Sequence, residues 1–195
     1  MSKIAIKGNE SGTATFTIES PATNTDRIFE LPDEAGKILT DVGVPTSAMP
    51  AGSVIQVVEG VTTTEVVHVS DGAFVETTLN ASITPTSASS KILILISQNN
   101  FVLRTSVTGS LRYKLRVLRG ATSIRDWVEA LGQPIFDATR RYGTSSFFSM
   151  LDSPNTASSV TYKTQGQIAT VGGGRTLIFQ SNNTPSTITL LEIAA

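Results

Sequence analysis

The chain reads as all-β: an antiparallel, jelly-roll-like β-sandwich preceded by an extended N-terminal arm with short strands. Three observations predict this. Ser and Thr make up about a quarter of the 195 residues, and the abundance of Thr, Val and Ile suits pleated, half-buried surfaces better than helices. Short alternating or β-branched runs recur along the chain, separated by Gly, Pro, Asn, Asp and Ser, as in strands joined by tight turns. About nine or ten such runs in roughly 145 residues is the size of a jelly roll.

The first strand signal is Thr13 to Glu19, where alternation puts Ala14, Phe16 and Ile18 on one face. A short strand pair is marginal alone in water, so this arm is expected to pack on neighbouring chains or on a larger assembly. From Asp41 to Gly52 the chain carries Gly43, Pro45, Pro50 and Gly52 among small residues, a linker or neck pattern. The expected division is therefore 1–50 for arm and neck and 51–195 for the sandwich.

Strands are then expected over Ser53 to Glu59, Thr63 to Val69, Phe74 to Thr84, Lys91 to Gln98 and Val102 to Val107. They continue over Leu111 to Leu118, Ser145 to Leu151, Val160 to Thr170, Leu177 to Gln180 and Thr187 to Ile193. Asp71-Gly72, Pro85 to Ser90, Arg119-Gly120, Ser153-Pro154-Asn155 and Gly172 to Gly174 supply turns. Between Thr122 and Gly132, Ile124, Trp127, Val128 and Leu131 fall at helical spacing, with Ser123 able to cap the start and Gly132 the end. That spacing predicts a short helix or helical turn inserted between strands, with Trp127 as its anchor. The run Ile92-Leu93-Ile94-Leu95-Ile96 after Lys91 predicts a strand covered on both faces, the second face meeting either the Trp127 insertion or a neighbouring chain.

The net charge of −1 conceals an asymmetry. Residues 1–90 hold four Lys/Arg against eleven Asp/Glu, and residues 104–141 hold eight against three. Arg112, Lys114 and Arg116, two apart, fall on one face of a strand, either as an ordinary solvent face or, together with Trp127, as a surface for a ligand or partner. No cysteine is present, which removes disulfides, thiolate metal sites and Cys nucleophiles and fits a reducing cytoplasm. No apolar run approaches the roughly 18 residues of a membrane span, and the first ten residues lack the apolar run of a signal peptide.

Four pieces of the chain, in order, carry a resemblance. The longest is Ser20 to Thr40, SPATNTDRIFELPDEAGKILT: a strand ending at Phe16-Thr17, the turn Pro21 to Arg27, the short strand Ile28 to Leu31, then Pro32-Asp33, Gly36 and Ile38-Leu39-Thr40. The others are Ile83 to Ile96, Phe147 to Tyr162 and the closing strand Ser186 to Ile193. Together these resemble tailed-bacteriophage virion surface proteins of the tail-fibre or head-decoration type, with a jelly-roll-like C-terminal knob. The chain departs from the usual pattern at Phe29 and Glu30, where a small Thr-Leu pair is more common.

The resemblance implies a non-enzymatic structural protein on the outside of a phage particle, assembled in the host cytoplasm as a homotrimer. It also implies contacts with other phage virion proteins, of tail or capsid, and with a host surface glycan or protein. Phe16, Ile18, Arg27, Phe29 and Leu31 would then be the docking or inter-subunit residues of the arm. A short tail-fibre-type appendage for host attachment is the first expectation and a capsid decoration protein the alternative. No short unit repeats along the chain as a long fibre shaft requires.

Catalytic and cofactor chemistry finds little support. His68 is the single histidine and, without cysteine, offers no obvious zinc site; no Gly-x-Ser-x-Gly elbow accompanies it. Asp126, Glu129, Asp137 and Asp152 could in principle supply the two acids of a polysaccharide-cleaving spike, but no spacing singles out a pair. Gly172-Gly173-Gly174-Arg175-Thr176 lacks the Lys-Ser/Thr ending of a phosphate loop. Tyr113 and Tyr142 lie near the basic region, yet the chain as a whole is not basic, so nucleic acid is not an expected partner. Asp33 and Asp71 belong to no calcium-loop pattern. No enzyme activity, cofactor, resident metal or membrane insertion is expected.

Overall fold

The computed structural model describes residues 11–12, 49–69, 72–104, 111–131, 140–169 and 174–195. The chain divides into two compact units, Met1–Leu39 and Thr40–Ala195, and every described strand belongs to the second. Phe16, Ile18, Arg27, Phe29 and Leu31 lie outside the described residues.

Two antiparallel sheets make a sandwich. In the first, β1 (Val54–Thr62) pairs with β10 (Ser186–Ile193), and β10 with β4 (Lys91–Arg104). Strand β7 (Arg140–Asp152) runs along the whole other side of β4. Strand β4 is long enough, at 14 residues, to pair with β10 over Lys91–Ser97 and then with β9 (Arg175–Phe179) over Asn100–Arg104. The short strand β2 (Val66–His68) completes this sheet beside β9. The second sheet has the order β3 (Val75–Ile83), β8 (Val160–Ile168), β5 (Leu111–Arg119), β6 (Thr122–Leu131). Layers β1-β10-β4-β7 and β3-β8-β5-β6, with the last strand returning beside the first, are the eight strands of a jelly roll, to which β2 and β9 are added.

Period-two patterning explains which side chains enter the core. In β3, Thr77, Leu79, Ala81 and Ile83 are buried while their neighbours are exposed; in β10, Ser186, Ile188, Leu190 and Glu192 are buried. The interior holds two apolar clusters. One gathers Ile92, Ile94 and Ile96 of β4 with Leu79, Val117, Tyr162, Ile188 and Leu190; the other gathers Val102, Tyr113, Leu115, Ile168, Leu177 and Phe179. Between them lies a belt of neutral polar side chains. Gln98 Oε1 accepts from Thr164 Oγ1 at 2.9 Å and from Thr77 Oγ1 at 3.3 Å, and Gln98 Nε2 donates to Ser186 Oγ at 3.2 Å. Gln180 joins it with its amide nitrogen on the carbonyls of Thr64 and Thr77 and its oxygen accepting from Ser186. Deep amides are tolerated there because partners satisfy them.

Two glycines mark close approaches between the sheets. A Cβ on Gly60 would lie 2.0 Å from the Asn80 carbonyl oxygen, and one on Gly166 would lie 2.2 Å from the Phe179 ring. Strand β1 thus closes against β3, and the tip of the Phe179 ring reaches the β8 backbone at Gly166.

Three expectations are corrected. Thr122–Leu131 is strand β6, not a helix. Its register with β5 passes from Val117↔Arg125 to Leu118↔Ser123, which leaves Ile124 as the extra residue of a β-bulge. The bulge shifts the alternation by one, so Ile124 and Trp127, three apart, both reach the core. This phase shift mimics helical spacing. Residues 91–104 form one strand rather than two, because Gln98 and Asn100 turn inward as part of the buried belt instead of ending the strand. Finally, the Trp127 segment does not cover the second face of β4, one of the two covers expected for it. Leu95 is 40% exposed and Leu93 half-buried, while Trp127 belongs to the interior between the sheets.

Candidate functional site

The two outer faces of the sandwich differ in chemistry. On the four-stranded sheet, β5 directs Arg112, Lys114 and Arg116 outward beside Lys163, Gln165 and Gln167 of β8. Arg116 Nε donates to Gln165 Oε1 at 2.7 Å, and its guanidinium lies 3.8 Å over the Phe74 ring. Gln165 Nε2 donates to Glu76 Oε1, as does Lys163 Nζ, each at 2.7 Å. This is a hydrated polar ladder in which part of the positive charge is already matched.

The outer face of the six-stranded sheet is apolar and hydroxyl-rich. Successive cross-strand rows read Val57–Leu191–Leu93–Leu151, then Glu59–Thr189–Leu95–Ser149, then Val61–Thr187–Ser97–Phe147. Glu59 is the one charged residue in these rows. A further row across the added strands reads Val67–Ile178–Phe101–Gly143. Phe147 is 75% exposed, Val57 58% and Leu151 52%. Phe147 borders a shallow depression of about 360 Å³ that is also lined by Leu95, Ser97, Ser149, Thr187 and Thr189. A second depression lies further along β4 and β7, lined by Asn99, Phe101, Gly143, Ser145 and Asn182.

Of the four residues expected to form one ligand surface, Arg112, Lys114 and Arg116 share the outer face and Trp127 does not. Trp127 stands opposite Leu115, a buried residue, and packs against both apolar clusters, so its ring is unavailable to a sugar on the basic face. Its Nε1 is buried without a hydrogen-bond partner. The sequence reading missed the face around Phe147. Its signal was there in the apolar outward positions of β1, β4, β7 and β10, but an outward apolar row reads the same as a sealed one.

Two of the candidate carboxylates, Asp152 and Asp126, are engaged structurally. Asp152 takes Arg119 Nη1 at 3.0 and 3.1 Å and the Tyr162 hydroxyl at 2.7 Å, joining β5, β7 and β8. Burial, then the hydrogen bond and charge of Asp152, push the Tyr162 hydroxyl well above the usual phenol range, with Arg119 opposing. Asp126 accepts from Ser123 Oγ at 2.8 Å. The side chains of Glu129 and Asp137 lie outside the described residues. Glu192, not foreseen as special, is buried and accepts from Gln56 Nε2 at 2.6 Å and from the Thr86 amide and hydroxyl at 2.7 Å each. Burial pushes Glu192 up, but its donors Gln56, Ser90 and Thr86 outweigh this and hold it below the ordinary carboxylate range. His68 is buried in β2 against β9. Among the described residues no cluster of His, Asp and Glu could hold a metal ion.

No protein-family model and no curated protein sequence matches the chain. Among solved structures, it aligns with the T13 IBDV viral particle at a TM-score of 0.34 and 12% identity, over 80% of this chain and 40% of that one. The VP2 subviral particle of infectious bursal disease virus aligns at 0.33 and 13% identity, over 73% and 39%. The insecticidal delta-endotoxin Cry8Ea1 from Bacillus thuringiensis aligns at 0.27 and 13% identity, over 68% and 19%. The chain spans about two-fifths of the length of the viral chains. Likeness at this level carries no functional conclusion.

Proposed function

We propose that this chain is a non-enzymatic structural protein on the exterior of a phage virion, a short trimeric tail-fibre-type appendage contributing to host-surface attachment. The observation that carries the structural role is the contrast between the two outer faces. A sheet face built from Val57, Leu93, Leu95, Phe147, Leu151 and Leu191 with one charge in three rows is a face made to be covered. The opposite face, with its ladder of Arg116, Gln165, Glu76 and Lys163, is made to be wet. The phage assignment rests on the resemblance of Ser20 to Thr40 and the three later segments. Against a polysaccharide-cleaving role stands the use of Asp152 in an ion pair that ties strands together.

The lack of repeated short units along the chain favours a second reading, a capsid decoration protein that stabilises the head. Quantitative mass spectrometry of purified particles, with the chain expressed during infection, tests both. A few copies per particle supports the appendage, hundreds support decoration, and absence from particles overturns the virion role.

A further inference from the structure

We infer that the outer face of the six-stranded sheet is where copies of this chain meet one another. This contact pairs two copies and goes beyond the threefold assembly of the proposed function, and it does not depend on where the protein sits on a particle.

Three observations name a second copy as the occupant. The first is area. A standard interface covers about 800 Å² on each partner, a little over half of it apolar, which is roughly 450 Å². Val54, Val57, Val61, Leu95, Phe147 and Leu151, at 40% to 75% exposure, offer on the order of 500 Å² of apolar side chain, which matches that need.

The second is charge. The three central rows carry one charge, Glu59, and the end row Val54–Ile193–Lys91 one more of opposite sign, so the face has no cluster of like charge with which to hold a strongly charged partner. Thr187, Thr189, Ser97 and Ser149 carry hydroxyls that donate or accept equally, so the same row can face itself without leaving like charges opposed.

The third is shape. Phe147 stands up from β7 immediately beside the depression lined by Leu95, Thr187 and Thr189, which at about 360 Å³ has room for an aromatic ring. A projection and a recess on one face are what a self-complementary contact requires: the Phe147 ring of each copy enters the recess of the other.

The test uses the full 195-residue chain. Sedimentation velocity over a range of micromolar concentrations is expected to show association. Phe147→Asp, at a position too exposed to unsettle the fold, is expected to weaken it by about thirtyfold, the scale of a central interface residue. Arg112→Asp on the opposite face should leave it unchanged. Because the chain has no cysteine, Phe147→Cys places a single thiol at the contact, and a short bismaleimide is expected to yield covalently joined copies. The inference is overturned if the wild-type chain is monomeric throughout this range, which would leave the face to a different protein. It is equally overturned if Phe147→Asp associates like wild type and the Phe147→Cys thiol does not cross-link, which would move assembly to another surface.

Discussion

Trp127 and Phe148 stack face to face, with ring centroids 4.7 Å apart and planes 3° from parallel. Trp127 comes from β6 at the edge of one sheet and Phe148 from β7 in the other, so the pair joins the two layers along the side of the sandwich where those strands run. Phe148 and its neighbour Phe147 thus have opposite duties. One ring is locked between the sheets, and the other, on the next residue of a pleated strand, faces outward.

Trp127→Ala should therefore destabilise the sandwich by about 3 to 5 kcal/mol, the range for removing a large aromatic from a core. Since Trp127 is the only tryptophan, its fluorescence in the wild-type chain follows unfolding directly. Added glycans should leave that emission unchanged. A saturable shift on adding a sugar would mean that the ring is exposed to ligand after all.

Ile94 and Leu95 are adjacent on β4, yet they should respond differently. Ile94 has no exposed surface, and Ile94→Ala should cost roughly 2 to 5 kcal/mol in a denaturant titration. Leu95→Ala removes contacts only at the outer face and should cost less than about 1 kcal/mol in dilute solution, where copies are apart. Equal losses at the two positions would show that the outer face is sealed within one chain.

Glu192 makes stability depend on pH. Its folded-state proton affinity is lowered, so its contribution is fully present above the ordinary glutamate value of about 4.3 and is lost as pH falls below that toward the folded value. Thermal melts from pH 6 to pH 3 should show this loss in the wild type and a smaller one in Glu192→Gln, which cannot ionise. Parallel curves for the two proteins would remove Glu192 from the account.

Much of the sandwich was legible in the sequence, for a physical reason. In Val75–Ile83 and Ser186–Ile193 one face meets the core and the other meets water, so burial is written as alternation. The basic face of β5 was visible through the same two-residue spacing of Arg112, Lys114 and Arg116. The β6 segment was not, because the bulge at Ile124 breaks the period locally and leaves Ile124 and Trp127 spaced like a helix. The buried belt around Gln98 was also hidden, since a polar residue shows its hydrogen-bond partners only once Thr77, Thr164 and Ser186 have been brought in from distant segments. What covers the apolar outer face, the Trp127 segment or a neighbouring chain, was left open because residue type reports hydrophobicity and not what covers it.

The central claim is that the protein is held on a virion with its apolar sheet face covered and its basic face outward. Single-cysteine labelling on intact particles tests this most directly, using Phe147→Cys and Arg112→Cys in a chain otherwise free of cysteine, with the label read on this chain by mass spectrometry. The account predicts that the Arg112→Cys thiol reacts with maleimide on the intact particle and that the Phe147→Cys thiol reacts only after the particle is dismantled. Fast labelling of the Phe147→Cys thiol on intact particles, or particles that contain no copies of the chain, would contradict it.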